Sequence, residues 1–313
     1  MPSAIETREL SKKYGKHLAL DKLTLTIPHG QFLGFLGPNG AGKTTTIKIL
    51  TNLIFATEGE AYINGISVSD DPKKALLNVG AVVETPDFYP YLTPIEIFEY
   101  IGTIRNMTKS EINERSKKVL EDIKMNEWAN TKIGKFSKGM KQRIAIGCAL
   151  LHEPEILILD EPTGGLDPRG MAEVRDLLIS LKKNNTLTIF MSSHMLNEVQ
   201  ELCDHIAMIN YGKLLAYDTP ENLRARLKTS RIEVSCLNEI TAELWQKLSS
   251  ISGIENLERT GEKMFAFLTK STDEEEKYRL LNELMSNGIC VTSFKESGIM
   301  LEKIYLDMIK ESR

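Results

Sequence analysis

Between an apolar run, "QFLGFL", and a helical-looking stretch, "TTIKILTNL", lies "GPNGAGKTT", residues 37 to 45. A glycine-rich turn in that setting has few uses. Its glycines let successive backbone N–H groups curl toward one point, and the helix that follows aims its positive end there. The spacing fits G-x-x-x-x-G-K-[ST] through Gly37, Gly42, Lys43 and Thr44, the pattern of a loop that cradles nucleotide phosphates. Lys43 is suited to neutralise the outer phosphates, and the Thr44 hydroxyl to ligate Mg²⁺. Asn39, Gly40, Ala41 and Thr45 complete the cradle. Such a loop needs a strand to deliver it and a helix to continue it.

The rest of the chain supplies that setting. "EILILDEP" and "TLTIFMSSH" are short apolar runs, each followed by a helical stretch. Strands buried on both faces in this way imply a mostly parallel sheet covered by helices, an α/β core. Residues 1 to about 30 alternate apolar and polar with turn signals at "KKYGKH" and "PHG", and "EGEAYINGISV" reads as a hairpin, so an antiparallel β subdomain is expected. From 93 to about 152 the period is helical, and "TPIEIFEYIGTI" opens with Thr93 as N-cap, Pro94 at N1 and Glu96 at N3. Near residue 225 the rhythm changes. "RIEVSC", "IENLER", "KMFAFLT" and "GICVTSF" read as strands, with helical stretches at about 240–250 and 273–287. That order, β-α-β-β-α-β, predicts a small ferredoxin-like α+β domain closed by a helix in "IMLEKIYLDMIK". The expected division is therefore 1–225, with a helical subdomain at about 93–152, and 226–313.

Composition narrows the function classes. With 39 basic and 43 acidic residues the formal charge is -4, so no polyanion footprint is present and nucleic acid is not an expected partner. The opening "MPSAIETRELSKKY" has no apolar core for a signal peptide, and "IAIGCALL" is too short to cross a bilayer. Work at a membrane would require another polypeptide to do the spanning. Cys148, Cys203, Cys236 and Cys290 are isolated, which reads as reduced thiols rather than disulfides or a metal site built from protein ligands.

"ILILDEP" supplies a partner for the phosphate loop. Asp160, at the end of a buried strand, is placed to hold Mg²⁺, and Glu161 beside it to orient or deprotonate a water attacking the γ-phosphate. With these motifs in this order, the chain resembles the ATP-binding subunit of an ATP-binding-cassette (ABC) transporter over residues 1 to about 225. The resemblance implies an ABC-type P-loop ATPase domain that hydrolyses ATP to ADP and phosphate. It also implies roles for further residues. Tyr14 in "LSKKYGK" corresponds to the aromatic that stacks on adenine, and His194, ending "IFMSSH", to the γ-phosphate switch histidine. Ser137 and Gly139 in "FSKGMKQR" match the signature that binds the γ-phosphate held by the opposite subunit, and Asp167 in "GGLDP" the loop linking two active sites. One set of motifs then implies a head-to-tail dimer with a copy or close relative, sandwiching two ATP molecules. The implied place is the cytoplasmic face of the membrane, with separate transmembrane permease subunits.

The chain departs from the family pattern at three positions. Lys138 stands where the signature carries glycine, and Met140 where it carries glutamine, so an amide contact to ribose is lost. Glu84, in "GAVVETPDFYPYLT", stands in the place of the glutamine loop, which touches Mg²⁺ and the attacking water and lines the permease groove. A carboxylate there keeps oxygen ligation and adds negative charge. "VVETPDFYPYLT" together with "FSKGMKQR" resembles the subgroup that exports peptide antibiotics, including bacitracin and lantibiotic self-protection transporters. Two rival classes remain: a cytosolic ABC protein of translation or DNA repair, which would carry two cassettes or a coiled-coil insertion, and a nucleotide-dependent regulatory switch.

Overall fold

A computed structural model describes residues 3–183, 186–225, 230–269 and 273–297. The chain divides between Thr219 and Pro220 into two compact units. In the first, β1 (Ile5–Tyr14) pairs antiparallel with β2 (His17–Ile27), and β3 (Phe32–Leu36) runs through the glycine-rich loop into α1 (Lys43–Leu50). β4 (Glu58–Ile63) and β5 (Ile66–Ser67) form the expected hairpin. Its turn residues Asn64 and Gly65 both have positive φ, 52° and 75°, as a primed two-residue turn requires.

A short helix, α2 (Pro72–Ala75), precedes β6 (Val79–Val82), and three α-helices follow: α3 (Pro94–Ile104), α4 (Lys109–Asp122) and α5 (Lys138–Leu150), with two 3-10 turns between the last two. At the start of α3, Thr93 N donates to Glu96 Oε2 at 2.7 Å and Glu96 N donates to Thr93 Oγ1 at 3.4 Å. This reciprocal cap behind Pro94 is the one legible in the sequence. The unit continues with β7 (Ile156–Leu159), α6 (Pro168–Lys182), β8 (Thr188–Ser193), α7 (Leu196–Leu202), β9 (His205–Asn210) and β10 (Lys213–Asp218).

Two sheets result. One is antiparallel, in the order β2-β1-β4-β5; the other runs β10-β9-β3-β8-β7-β6 and is parallel except where β10 meets β9. Strands β3, β7 and β8 are buried at every position, which is why β3 and β7 read as continuous apolar runs and β8 carries an apolar centre, Ile189–Met191, between buried hydroxyls. Phe35 and Phe190 meet in this core with ring centres 5.2 Å apart. In register, Leu36 faces Ser193 and Val82 faces Leu159. The loops leaving β3, β8, β7 and β6 therefore emerge side by side along one edge, where open α/β sheets bind ligands.

The second unit opens with α8 (Pro220–Ala225), so the boundary read at residue 225 falls on the far side of that helix. A helix of six residues carries too little periodicity to be seen against the composition change that follows. Next come β11 (Ser230–Cys236), α9 (Ala242–Ser249), β12 (Glu255–Arg259), β13 (Met264–Thr269), α10 (Glu274–Ser286) and β14 (Val291–Ser297). The sheet order is β12-β13-β11-β14, antiparallel at every junction, the arrangement of a split β-α-β-β-α-β chain. Ile232, Val234, Phe265, Phe267, Leu280 and Leu284 close its own core. The helix expected in "IMLEKIYLDMIK" lies outside the described residues.

Candidate active site

The phosphate-type loop is built by backbone geometry before any side chain acts. Gly42, the N-cap of α1, has φ 107°, and a Cβ there would lie 2.6 Å from the Ala19 carbonyl oxygen. Only glycine fits. No side chain caps α1 and no acid sits in its first turn, which suits the start of this helix to an anionic ligand. Gly37 N donates to Ser193 O at 3.2 Å, tying the start of the loop to the end of β8.

Lys43 is 5% exposed. Its Nζ donates to Gly37 O at 2.9 Å and Pro38 O at 3.1 Å, and lies 3.2 Å from Glu161 Oε1. The other carboxylate oxygen, Glu161 Oε2, accepts from His194 Nδ1 at 3.1 Å. An ionised carboxylate only accepts, so Nδ1 carries the proton in this contact. The next acid, Asp160, is buried at the end of β7. Its Oδ1 accepts from Ser192 Oγ at 2.6 Å and from Thr44 Oγ1 at 3.3 Å. Ser192 Oγ in turn accepts from Glu161 N at 2.9 Å.

Sequence reasoning passed over Ser192. The signal was a hydroxyl pair, "SS", ending an apolar run in a strand buried on both faces, where a polar side chain needs a partner. Lys48 was missed as well. Its Nζ lies 2.5 Å from Glu84 Oε1, and the Glu84 carboxylate holds the ammonium above the usual lysine range. Glu84 follows β6 by two residues with φ 63°, a left-handed backbone.

Thr44, Glu84, Asp160, Glu161, His194 and Lys138 all line one cavity of about 530 Å³. The structure thus brings together Thr44 of the phosphate loop, the two acids, the histidine and Glu84, with Lys43 reaching Glu161. Ser137, Gly139 and Asp167 form a second group at the starts of α5 and α6. Ser137 Oγ accepts from Met140 N at 3.2 Å, and Asp167 Oδ1 from Gly170 N at 3.1 Å. The two helices nearly touch there, since a Cβ on Gly139 would stand 3.0 Å from Gly170 Cα. Arg143 Nη2, 3.0 Å from Glu173 Oε2, ties α5 to α6 one turn further on. Tyr14, half-exposed at the end of β1, has Lys12 Nζ 5.2 Å from its ring centre.

Chemically, the cavity offers an anion cradle, a hydroxyl and a carboxylate suited to a hard cation, and a glutamate beside a histidine. Residues 20–164 match the family described as "ABC transporter". The chain is 43% identical to the bacitracin transport ATP-binding protein BcrA of Bacillus licheniformis, over 72% of this chain and 73% of that one. It is 33% identical to the protein of the same name from Enterococcus faecalis, over 99% and 97%. Among solved structures, an ATP-binding cassette in a dimeric post-hydrolysis state with ADP and phosphate superposes with a TM-score of 0.61. That match has 28% identity and spans 69% of this chain and 98% of the other.

Proposed function

The chain belongs to the ABC transporter family as an ATP-binding, ATP-hydrolysing subunit, and from that premise we propose that it powers a membrane permease conferring resistance to peptide antibiotics such as bacitracin. The observation that carries the catalytic half is the meeting of Lys43, Asp160, Glu161 and His194 at the ends of β3, β7 and β8. The substrate half rests on the likeness to the two bacitracin transport proteins.

In this reading the backbone of the loop and Lys43 bind the β- and γ-phosphates, and Tyr14 stacks on the adenine. Glu161 accepts the proton of the attacking water, and His194 orients that carboxylate and senses the γ-phosphate. Thr44 and Asp160, two oxygen donors 3.3 Å apart at the mouth of the cradle, fit a hard divalent cation, and Glu84 stands at the same cavity. Mg²⁺ held there would offset the negative charge of the phosphate oxygens.

Ser137, Gly139 and Asp167 serve the nucleotide of a partner subunit, which makes a homodimer the working form. Separate permease subunits do the spanning in this reading; among the described residues of this chain no helix is long and apolar enough to cross a membrane. The chain then sits on the cytoplasmic face. A second unit from residue 220 is assigned an accessory role.

The test is co-expression with the permease in a strain lacking both. Survival in bacitracin that depends on this chain and disappears with Lys43→Ala supports the proposal. Unchanged sensitivity across a panel of peptide antibiotics, with ATP hydrolysis intact, would remove the substrate assignment alone.

A further inference from the structure

Helix α1 presents a second basic side chain to the cavity edge. Lys48 follows Thr44 by four residues, so the two share one face of the helix, a turn apart. On that face Thr44 Oγ1 meets Asp160 at 3.3 Å, and Lys48 Nζ meets Glu84 Oε1 at 2.5 Å. The Glu84 side chain is 61% exposed and that of Lys48 30% exposed. An ion pair this open to water adds little to stability. Its effect is local.

Three carboxylates, Glu84, Asp160 and Glu161, line the cavity. Glu161 is neutralised by Lys43 and bonded by His194, while the Asp160 oxygen that meets Thr44 is held by hydroxyls. Lys138 and Lys141 also line the cavity, but neither forms an ion pair with Glu84 among the described residues, and a carboxylate left unpaired there would repel a triphosphate. Glu84 also keeps a left-handed backbone, φ 63°, which a glutamate rarely adopts without surrounding constraint.

We propose that Lys48 and Glu84 act as one unit, in which Lys48 is a positioning residue that holds and neutralises the Glu84 carboxylate beside the phosphate site. The pair then presents oxygen to the cavity without net charge, as a neutral amide would. This rests on the reading of the cavity as the nucleotide site.

The test is a double-mutant cycle read by binding. Wild type, Lys48→Met, Lys48→Arg, Glu84→Gln and the Lys48→Met/Glu84→Gln double variant are titrated with a fluorescent ATP analogue, in EDTA and in Mg²⁺. Lys48→Met is expected to weaken binding about ten-fold in EDTA, because it frees a carboxylate near the phosphates. The loss should be smaller in Mg²⁺, where the cation offsets that charge. Lys48→Arg should stay within about two-fold of wild type, and in the Glu84→Gln background Lys48→Met should cost less than about two-fold.

Coincident thermal unfolding curves exclude general damage, and Lys48→Gln replaces Lys48→Met if the latter does not fold. No loss in Lys48→Met, or a loss undiminished when Glu84 is Gln, overturns the pairing. A wild type whose binding of the analogue is unaffected by Lys43→Ala defeats the nucleotide-site reading instead.

Discussion

Glu84 and Glu161 occupy matching places on neighbouring strands: Val82 and Leu159 pair in register, and each glutamate follows its strand end by two residues. Both have left-handed backbones, φ 63° and 43°. That conformation costs a residue with a Cβ roughly 1–2 kcal/mol, so the sheet edge turns both chains sharply at an energetic expense. The result is two carboxylates on one cavity, each held by a lysine of α1. They differ in their second partner. Glu161 has His194 on its other oxygen, whereas Glu84 is largely open to solvent.

Glu161→Gln should bind ATP and hydrolyse it about 10²–10⁴-fold more slowly, the range lost when a positioned general base is removed. The stalled protein should elute from a sizing column as an ATP-bound dimer. Lys43→Ala should instead lose ATP affinity, because it strips charge from the cradle. Near-normal turnover by Glu161→Gln contradicts the assignment.

Ser192→Ala removes a hydroxyl that bonds Asp160 Oδ1 at 2.6 Å and Glu161 N at 2.9 Å. A buried carboxylate and a part-buried N–H lose a partner, so unfolding free energy should fall by about 1–3 kcal/mol. Turnover should fall more than ATP affinity, since the phosphates are held by the loop and the acids are what Ser192 aligns. Steady-state kinetics beside a denaturant curve separates the two effects.

Ser137→Arg places a long cation where the signature would meet the partner's γ-phosphate, and leaves the subunit's own loop untouched. ATP binding by the monomer should survive while dimer formation and hydrolysis fail. Full hydrolysis by a population made only of Ser137→Arg subunits rules out the sandwich arrangement.

His152 gives a pH signature remote from catalysis. Its Nε2 meets the Val79 carbonyl oxygen at 3.2 Å, and burial pushes its pKa down from 6.5 to about 4. The unfolded chain therefore takes up a proton that the folded one refuses, and stability present above pH 6.5 is lost as pH falls toward about 4. Relative to His152→Gln, wild type should lose melting temperature across that window. Parallel melting curves for the two proteins would show that the imidazole titrates alike in both states.

The parts of this site that could be read in advance are those written in consecutive residues. "GPNGAGKTT" and "ILILDEP" each carry their geometry locally, because a loop between a strand and a helix, or an acid at a strand end, needs only its immediate neighbours. The capping box at Thr93 is legible for the same reason. The partners of Ser192 and Lys48 were not legible, because they are set by the strand order β3-β8-β7-β6 and its register, which no local stretch encodes. Glu84 could be suspected from its place between the motifs. Its alignment with Glu161 needed the pairing of Val82 with Leu159. The boundary at Thr219 was blurred by α8, too short to announce itself.

The two units are filled by separate apolar clusters. The side chains that seat the catalytic loops, such as Leu33, Phe35, Ile47, Ile158 and Phe190, belong to one apolar cluster, and Phe265 and Phe267, with ring centres 6.3 Å apart, belong to another. A change that loosens the second cluster acts on the packing of β11, β13 and α10. At the nucleotide end the tolerance is set atom by atom: a side chain at Gly42 would run into the Ala19 carbonyl, and Lys43 has almost no free surface to give up.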